Sequence, residues 1–214
     1  TNGGGEQRYV DLLSNGGFKA FFGDAKNKKE VMIILNTFLP ENRKVVDIDY
    51  MPTEVQGPVI GHSKEFHYDF ICRDSSGTVF IVEMQRYREK AWFKRCVSYA
   101  SRAYDRQNKS GSEYNVPPVY LIGLMGVPID HPDREFWRDR FVSEYTFREK
   151  ESHDLLDEII VIIFAELASF RKSEEECVSR LDRMLYILKN SSKLHIPPQW
   201  SEYEEGHEIL GACE

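Results

Sequence analysis

Residues 66–85 read FHYDFICRDSSGTVFIVEMQ, two runs rich in alternating, β-branched and aromatic residues around a Ser-Ser-Gly turn, and this pattern predicts a β-hairpin. Side chains alternate along a strand, so Glu83 and Gln85 share one face and Met84 takes the other. Whether Asp69 joins them depends on the turn, because a slip of one residue in the pairing sends every side chain to the opposite face. A three-residue loop, Ser75-Ser76-Gly77, with Gly77 in the left-handed conformation that glycine enters cheaply, sets Asp69 directly opposite Glu83. Cβ atoms of such a pair lie about 5 Å apart. Two carboxylates that close repel unless a proton or a cation sits between them, and a hard divalent ion such as Mg²⁺ or Mn²⁺ suits the pair. The Met84 backbone carbonyl, between the two inward side chains, offers a third oxygen ligand. On spacing alone, the same residues also suit a solvated hairpin face.

The rest of the chain supplies a scaffold for this hairpin. With 214 residues, 41% of them hydrophobic, one packed domain is expected. Residues 18–39 carry apolar side chains at three- and four-residue spacing, broken at Gly23 and stopped before Pro40, which predicts two short helical pieces. Residues 45–55 alternate as a strand does, and a Gly-Pro loop over 56–64 leads into the hairpin. A helix is expected over 87–107, a loop to 118, and a buried central strand over 119–125, stopped by Gly126 and Pro128. Residues 144–147 and 158–164 read as further strands, and 174–189 as a helix with Ser173 as N-cap and Glu176 completing a capping box. This order implies a mixed β-sheet flanked by helices, an α/β (α+β) domain. Residues 1–14 read as an N-terminal extension, 15–190 as the domain with its closing helix, and 191–214 as an acidic C-terminal tail.

Composition narrows the function classes. No run reaches the ~18 uninterrupted apolar residues of a membrane helix, since Glu166 interrupts the longest, and no basic leader with an apolar stretch opens the chain. Cys72, Cys96, Cys177 and Cys213 are scattered with no zinc-type spacing, so reduced thiols and a cytoplasmic location are expected. A net charge of −7 argues against a protein that coats polyanions over its whole surface. Yet residues 86–109 hold eight basic residues against Glu89 and Asp105, interleaved with Tyr87, Trp92, Phe93, Tyr99 and Tyr104. That mixture suits a groove that follows a phosphate backbone and offers stacking surfaces, with Arg86, Lys94, Arg95 and Arg102 as candidate contacts. Helical geometry allows only a subset of them on one stripe. Glu54 is a candidate for outer support of the ion, and His67, on Asp69's face by alternation, for a place near it. His131 with Asp130 and Asp133 could form a second metal cluster, but Asp and Pro together are ordinary turn chemistry.

The order of elements and the Asp69…Glu83-x-Gln85 constellation resemble the PD-(D/E)XK nuclease superfamily, built on a restriction-endonuclease-like core. The phrases FKAFFGDAKNK at 18–28, LNTFL at 35–39, DIDYMPTE at 47–54, FIVEMQ at 80–85, YASRAY at 99–104, PVYLIG at 118–123 and LDRMLYILKN at 181–190 resemble one branch of it, the PD-(D/E)XK nuclease family transposases, or recombination-promoting nucleases. The resemblance implies a Mg²⁺- or Mn²⁺-dependent DNA endonuclease with Asp69 and Glu83 as metal-binding carboxylates. Gln85 then stands where the wider superfamily has lysine, as is common in this branch, and a neutral amide can orient a water but brings no charge. Asn15 departs from an aspartate common in relatives. DNA is the implied partner, and a homodimer would suit double-strand cutting. Two rivals remain: a nuclease fold kept as a catalytically inactive binding module, and an interaction domain whose carboxylates receive a partner's basic side chains.

Overall fold

Val79-Phe80-Ile81-Val82 is buried at every position, odd and even, so this strand needs apolar cover on both faces. The computed structural model supplies it. It describes residues 7–55, 66–108, 111, 113–200 and 204–214; the Gly-Pro loop expected over 56–64 lies outside them. In chain order the elements are α1 (Asn15–Gly23), α2 (Lys28–Phe38), β1 (Ile48–Tyr50), β2 (Glu54–Val55), β3 (Phe66–His67), β4 (Phe70–Asp74), β5 (Val79–Gln85), α3 (Trp92–Asp105), β6 (Val119–Met125), β7 (Val142–Tyr145), β8 (Ile160–Glu166), α4 (Arg180–Asn190) and α5 (Glu204–Ala212). Six strands form one mixed sheet in the order β1-β4-β5-β6-β8-β7, and β2 and β3 form a separate ribbon. β5, β6 and β8 run parallel to one another; the outer pairs are antiparallel. This is the mixed α/β architecture that the element order predicts, and it agrees with the restriction-endonuclease-like core that the resemblance implies.

Alternation sorts the core into two layers. Phe80, Val82 and Ile122 face a cluster with Phe18, Phe22 and Ile34 from α1 and α2 and Leu185 from α4. Val79, Ile81 and Leu121 face Trp92, Cys96 and Ala100 of α3. Continuing the same alternation, Glu83 and Gln85 lie on the α3 side and Met84 on the other, where it packs against the first cluster.

The hairpin keeps the expected register. Gly77 has φ +86°, its N–H donates to Asp74 O at 3.1 Å, and Asp74 N–H donates to Thr78 O at 3.0 Å. Pairs then run from Arg73 with Val79 to Phe70 with Val82, which places Asp69 next in line opposite Glu83.

Other boundaries moved. The strand expected over 45–55 shrinks to β1 and the two residues of β2, with Val46 84% exposed. α3 begins at Trp92 rather than 87, leaving Tyr87 to Ala91 as a turn at the end of β5. The capping box does form, with Ser173 N–H on Glu176 Oε2 at 2.7 Å and Glu176 N–H on Ser173 Oγ at 3.4 Å, but it closes an isolated turn. α4 starts six residues later, where Ser179 Oγ accepts Asp182 N–H at 3.0 Å. The strand expected over 158–164 is shifted two residues on, as β8. The acidic end folds against the body: Ile209, Leu210 and Cys213 are buried, and Val10 N–H donates to Cys213 O at 2.8 Å. All four cysteines are free and buried, as expected for thiols that serve as small apolar groups. Among the described residues no helix is long and apolar enough to cross a membrane.

Candidate active site

The β4–β5 ladder ends at Phe70 and Val82, and carboxylates take over from backbone groups at the next rung. Asp69 N–H donates to Glu83 Oε1 at 3.1 Å, and Met84 N–H donates to Asp69 Oδ2 at 2.9 Å. Each acid therefore grips the other strand's backbone, which fixes both head groups at the carboxyl end of β5, among the parallel strand ends where open α/β sheets place their ligands. Glu83 is 1% exposed. Its carboxyl is held well above the ordinary value, by burial first and by the Asp69 charge second. Burial also raises Asp69, against the lowering pull of the Met84 N–H and of Arg95.

Asp69, Met84, Gln85 and Asn15 line a cleft of about 500 Å³, together with Arg86 and Arg95. Gln85 is 5% exposed, and its Oε1 is buried with no hydrogen-bond partner. A buried acceptor left open beside two carboxylates that repel each other fits a divalent cation with its attendant water. Asp69 and Met84, two of the three residues expected from the sequence to hold an ion, line this cleft, and Glu83 is joined to them through the Asp69 N–H. Among the described residues no group of three or more His, Cys, Asp or Glu stands ready to hold a metal, so any ion here depends on carbonyl and water oxygens to complete its shell.

Arg95 brings the positive charge. Its Nη2 stands 3.9 Å from Glu83 Oε2, beyond direct hydrogen-bond length, while Nη1 donates to Glu89 at 2.8 Å. The guanidinium lies over Trp92 at 4.9 Å and near the Tyr99 ring at 5.9 Å. Arg95, Tyr99 and Arg102 sit at i, i+4 and i+7 on one face of α3, and Arg102 lies over Phe66 at 5.6 Å. The Nε atoms of both arginines and Trp92 Nε1 are buried without partners, so this stripe holds several unanswered donors.

Of the other sequence candidates, Arg86 is exposed on the cleft wall beside Tyr87. Lys94 is exposed but one position off the Arg95 stripe, and it does not line the cleft. Glu54 and His67 are placed elsewhere: they pair with each other across the β2–β3 ribbon, and neither lines the cleft. The alternation that linked His67 to Asp69 fails because Tyr68 leaves the strand, its N–H donating to Thr53 O at 2.9 Å. The Asp130, His131, Asp133 segment is a turn, as its composition indicates: Asp133 Oδ1 accepts Phe136 N–H at 3.0 Å, and His131 pairs with Glu166 at 2.7 Å. Glu89 was not foreseen. It precedes α3, so no helical spacing to Arg95 announces the contact.

The model of one family, PD-(D/E)XK nuclease family transposase, matches residues 14–213. No curated protein and no solved structure matches the chain.

Proposed function

The chain belongs to the PD-(D/E)XK nuclease family transposases, and on that footing we propose that it is a metal-dependent endonuclease that hydrolyses DNA phosphodiester bonds in recombination or mobile-element processes. The observation that carries this reading is the interlocked Asp69–Glu83 pair beside the open Gln85 Oε1. Asp69, Glu83 and the Met84 carbonyl would hold the ion, Mg²⁺ or Mn²⁺. When bound, it supplies Lewis-acid polarisation of the phosphate and a lowered pKa for a water.

The chain's own groups do the rest. Gln85 Oε1 accepts a hydrogen bond from the attacking water and orients it, but as a neutral amide it takes no proton and adds no charge. Arg95, braced by Glu89 and the Trp92 ring, faces the phosphate oxygens as negative charge builds on them. Tyr99 and Arg102 continue the contact along α3, and Arg86 adds a further cation to the cleft lining.

Plasmid nicking with Mg²⁺ or Mn²⁺ tests the reading. Asp69→Ala and Glu83→Ala are each expected to lose at least ~100-fold in rate, since loss of mere outer partners of a metal already costs up to that much. Equal cleavage by wild type and both variants would show that the activity is not the protein's. The neutral amides of Asn15 and Gln85 in the cleft favour one rival, a binding module without turnover. On that reading no nicking appears, while salt-dependent DNA binding survives both carboxylate changes.

A further inference from the structure

Resting on the nuclease reading, we propose that a second hollow, at the carboxyl ends of β6 and β8, binds backbone phosphates of duplex DNA as it runs out of the Asp69 cleft. The hollow encloses about 440 Å³ and is lined by Arg88, Arg134, Arg138, Arg140 and Arg171. Five arginines in one place are notable in a chain of net charge −7. Their charges are largely unanswered. Among the described residues only Arg134 has a carboxylate within salt-bridge range, Asp130 at 3.8 Å, and that pair is highly exposed. Like charges gathered without counter-charge repel, and the cost is repaid when an anion arrives.

The floor beneath them is built and rigid. Glu166, 2% exposed, accepts Ile129 N–H at 2.8 Å and meets His131 Nε2 at 2.7 Å. His131 stacks on Trp137, with centroids 4.2 Å apart and planes 12° from parallel. Arg140 lies over Phe136 at 4.4 Å. Glu166 is thus engaged with the floor, and the hollow as a whole sets five arginines against two carboxylates, Glu166 and Asp130, so it stays cationic. The guanidinium fork matches phosphate oxygens, so the ligand chemistry is phosphate.

Continuity decides between a strand of phosphates and a single small one. Arg88 lines both this hollow and the Asp69 cleft, so the two form one cationic path across the strand ends. A lone nucleotide would seek a free aromatic face, whereas one face of Trp137 is already covered by His131. A duplex passing through the cleft would lay its next phosphates on this rim.

The test measures anisotropy of labelled duplexes without divalent ions over a salt series, with a short duplex that fills only the cleft and a long one that reaches beyond it. Arg138→Ala/Arg140→Ala is compared with wild type, and Arg171→Glu serves as a single charge reversal at the rim. Each contacted phosphate contributes a slope of about 0.9 in log K against log salt. The double variant is therefore expected to flatten the long-duplex slope by about 2 and leave short-duplex binding unchanged; Arg171→Glu is expected to weaken the long duplex alone. Melting curves confirm that the variants are folded. Wild-type slope and affinity for the long duplex in all variants would overturn the proposal, while persistent nicking would leave the nuclease reading standing. Displacement of the long duplex by inorganic phosphate or a deoxynucleoside monophosphate as effectively as by unlabelled DNA, phosphate for phosphate, would also overturn it. Failure of the wild type to bind either duplex would overturn both.

Discussion

Replacing Glu83 with Gln separates the cost of the buried charge from its use. Gln keeps an oxygen for the Asp69 N–H but removes the charge that burial and Asp69 oppose. Both carboxyls titrate above their ordinary values of 3.8 and 4.5, so the folded protein holds protons that the unfolded chain would release. That contribution to stability is complete below those values and is lost as pH rises through the raised ones. Near neutral pH the metal-free pair therefore works against the fold. Glu83→Gln is expected to melt higher than wild type there, with a flatter decline of stability as pH rises from about 4.5. A cation reverses the ranking. At a hundred times its dissociation constant it stabilises the wild type by about 2.7 kcal/mol. Unfolding entropies near 2.1 cal/mol/K per residue give roughly 0.45 kcal/mol/K for 214 residues, so the wild-type Tm should rise by about 6 °C. Glu83→Gln, with half of the carboxylate pair gone, should show little of this rise. Differential scanning fluorimetry with and without Mn²⁺ reads both effects. A wild-type Tm indifferent to Mn²⁺, or an equal rise in the variant, would refute the reasoning.

Two further substitutions probe the surroundings of the pair. Gly123 stands beside Glu83 in the parallel β5–β6 ladder, and a Cβ there would lie 2.7 Å from Phe164 Cδ1 and 3.1 Å from Trp92 Cζ2. Gly123→Ala should cost about 1–3 kcal/mol by overpacking, read as a lower urea midpoint; an unchanged midpoint would contradict the close packing that seats Trp92 beneath Arg95. Asn15→Asp adds a carboxylate to the cleft and should tighten Mn²⁺ binding on the order of tenfold, measured by calorimetric titration, because ligand charge sets affinity for hard cations. Unchanged or weaker binding would place Asn15 outside the ion's reach.

The juxtaposition of Asp69 and Glu83 at the centre of the candidate site was legible in the sequence because local rules decide it. One glycine with positive φ sets the hairpin register, and the register sets Asp69 against Glu83. The apolar run at 119–125, of strand length and stopped by Gly126 and Pro128, reads as a central strand, and it is one. Legibility failed where tertiary contacts override local pattern. Ser173 and Glu176 make their cap bonds, yet the helix waits for Ser179. His67 lost its place beside Asp69 when Tyr68 left the strand to pack, with its hydroxyl on Tyr99 O at 3.2 Å. The acidic end reads as polar by composition, but Ile209 and Leu210 of α5, with Cys213 just past its end, are buried where α5 meets α2 and α4. The arginine hollow draws on residues from 88 to 171 and has no sequence signature; only the convergence of strand ends assembles it.

The central claim is that Asp69 and Glu83 jointly hold one ion. Anomalous scattering from a crystal soaked in Mn²⁺ tests it most directly. The expected result is a single peak about 2.1 Å from an oxygen of each carboxylate, absent from Glu83→Gln crystals soaked alike. Density with no such peak, and with Asp69 still bound to the Met84 N–H and Glu83 closed onto Arg95, would contradict it.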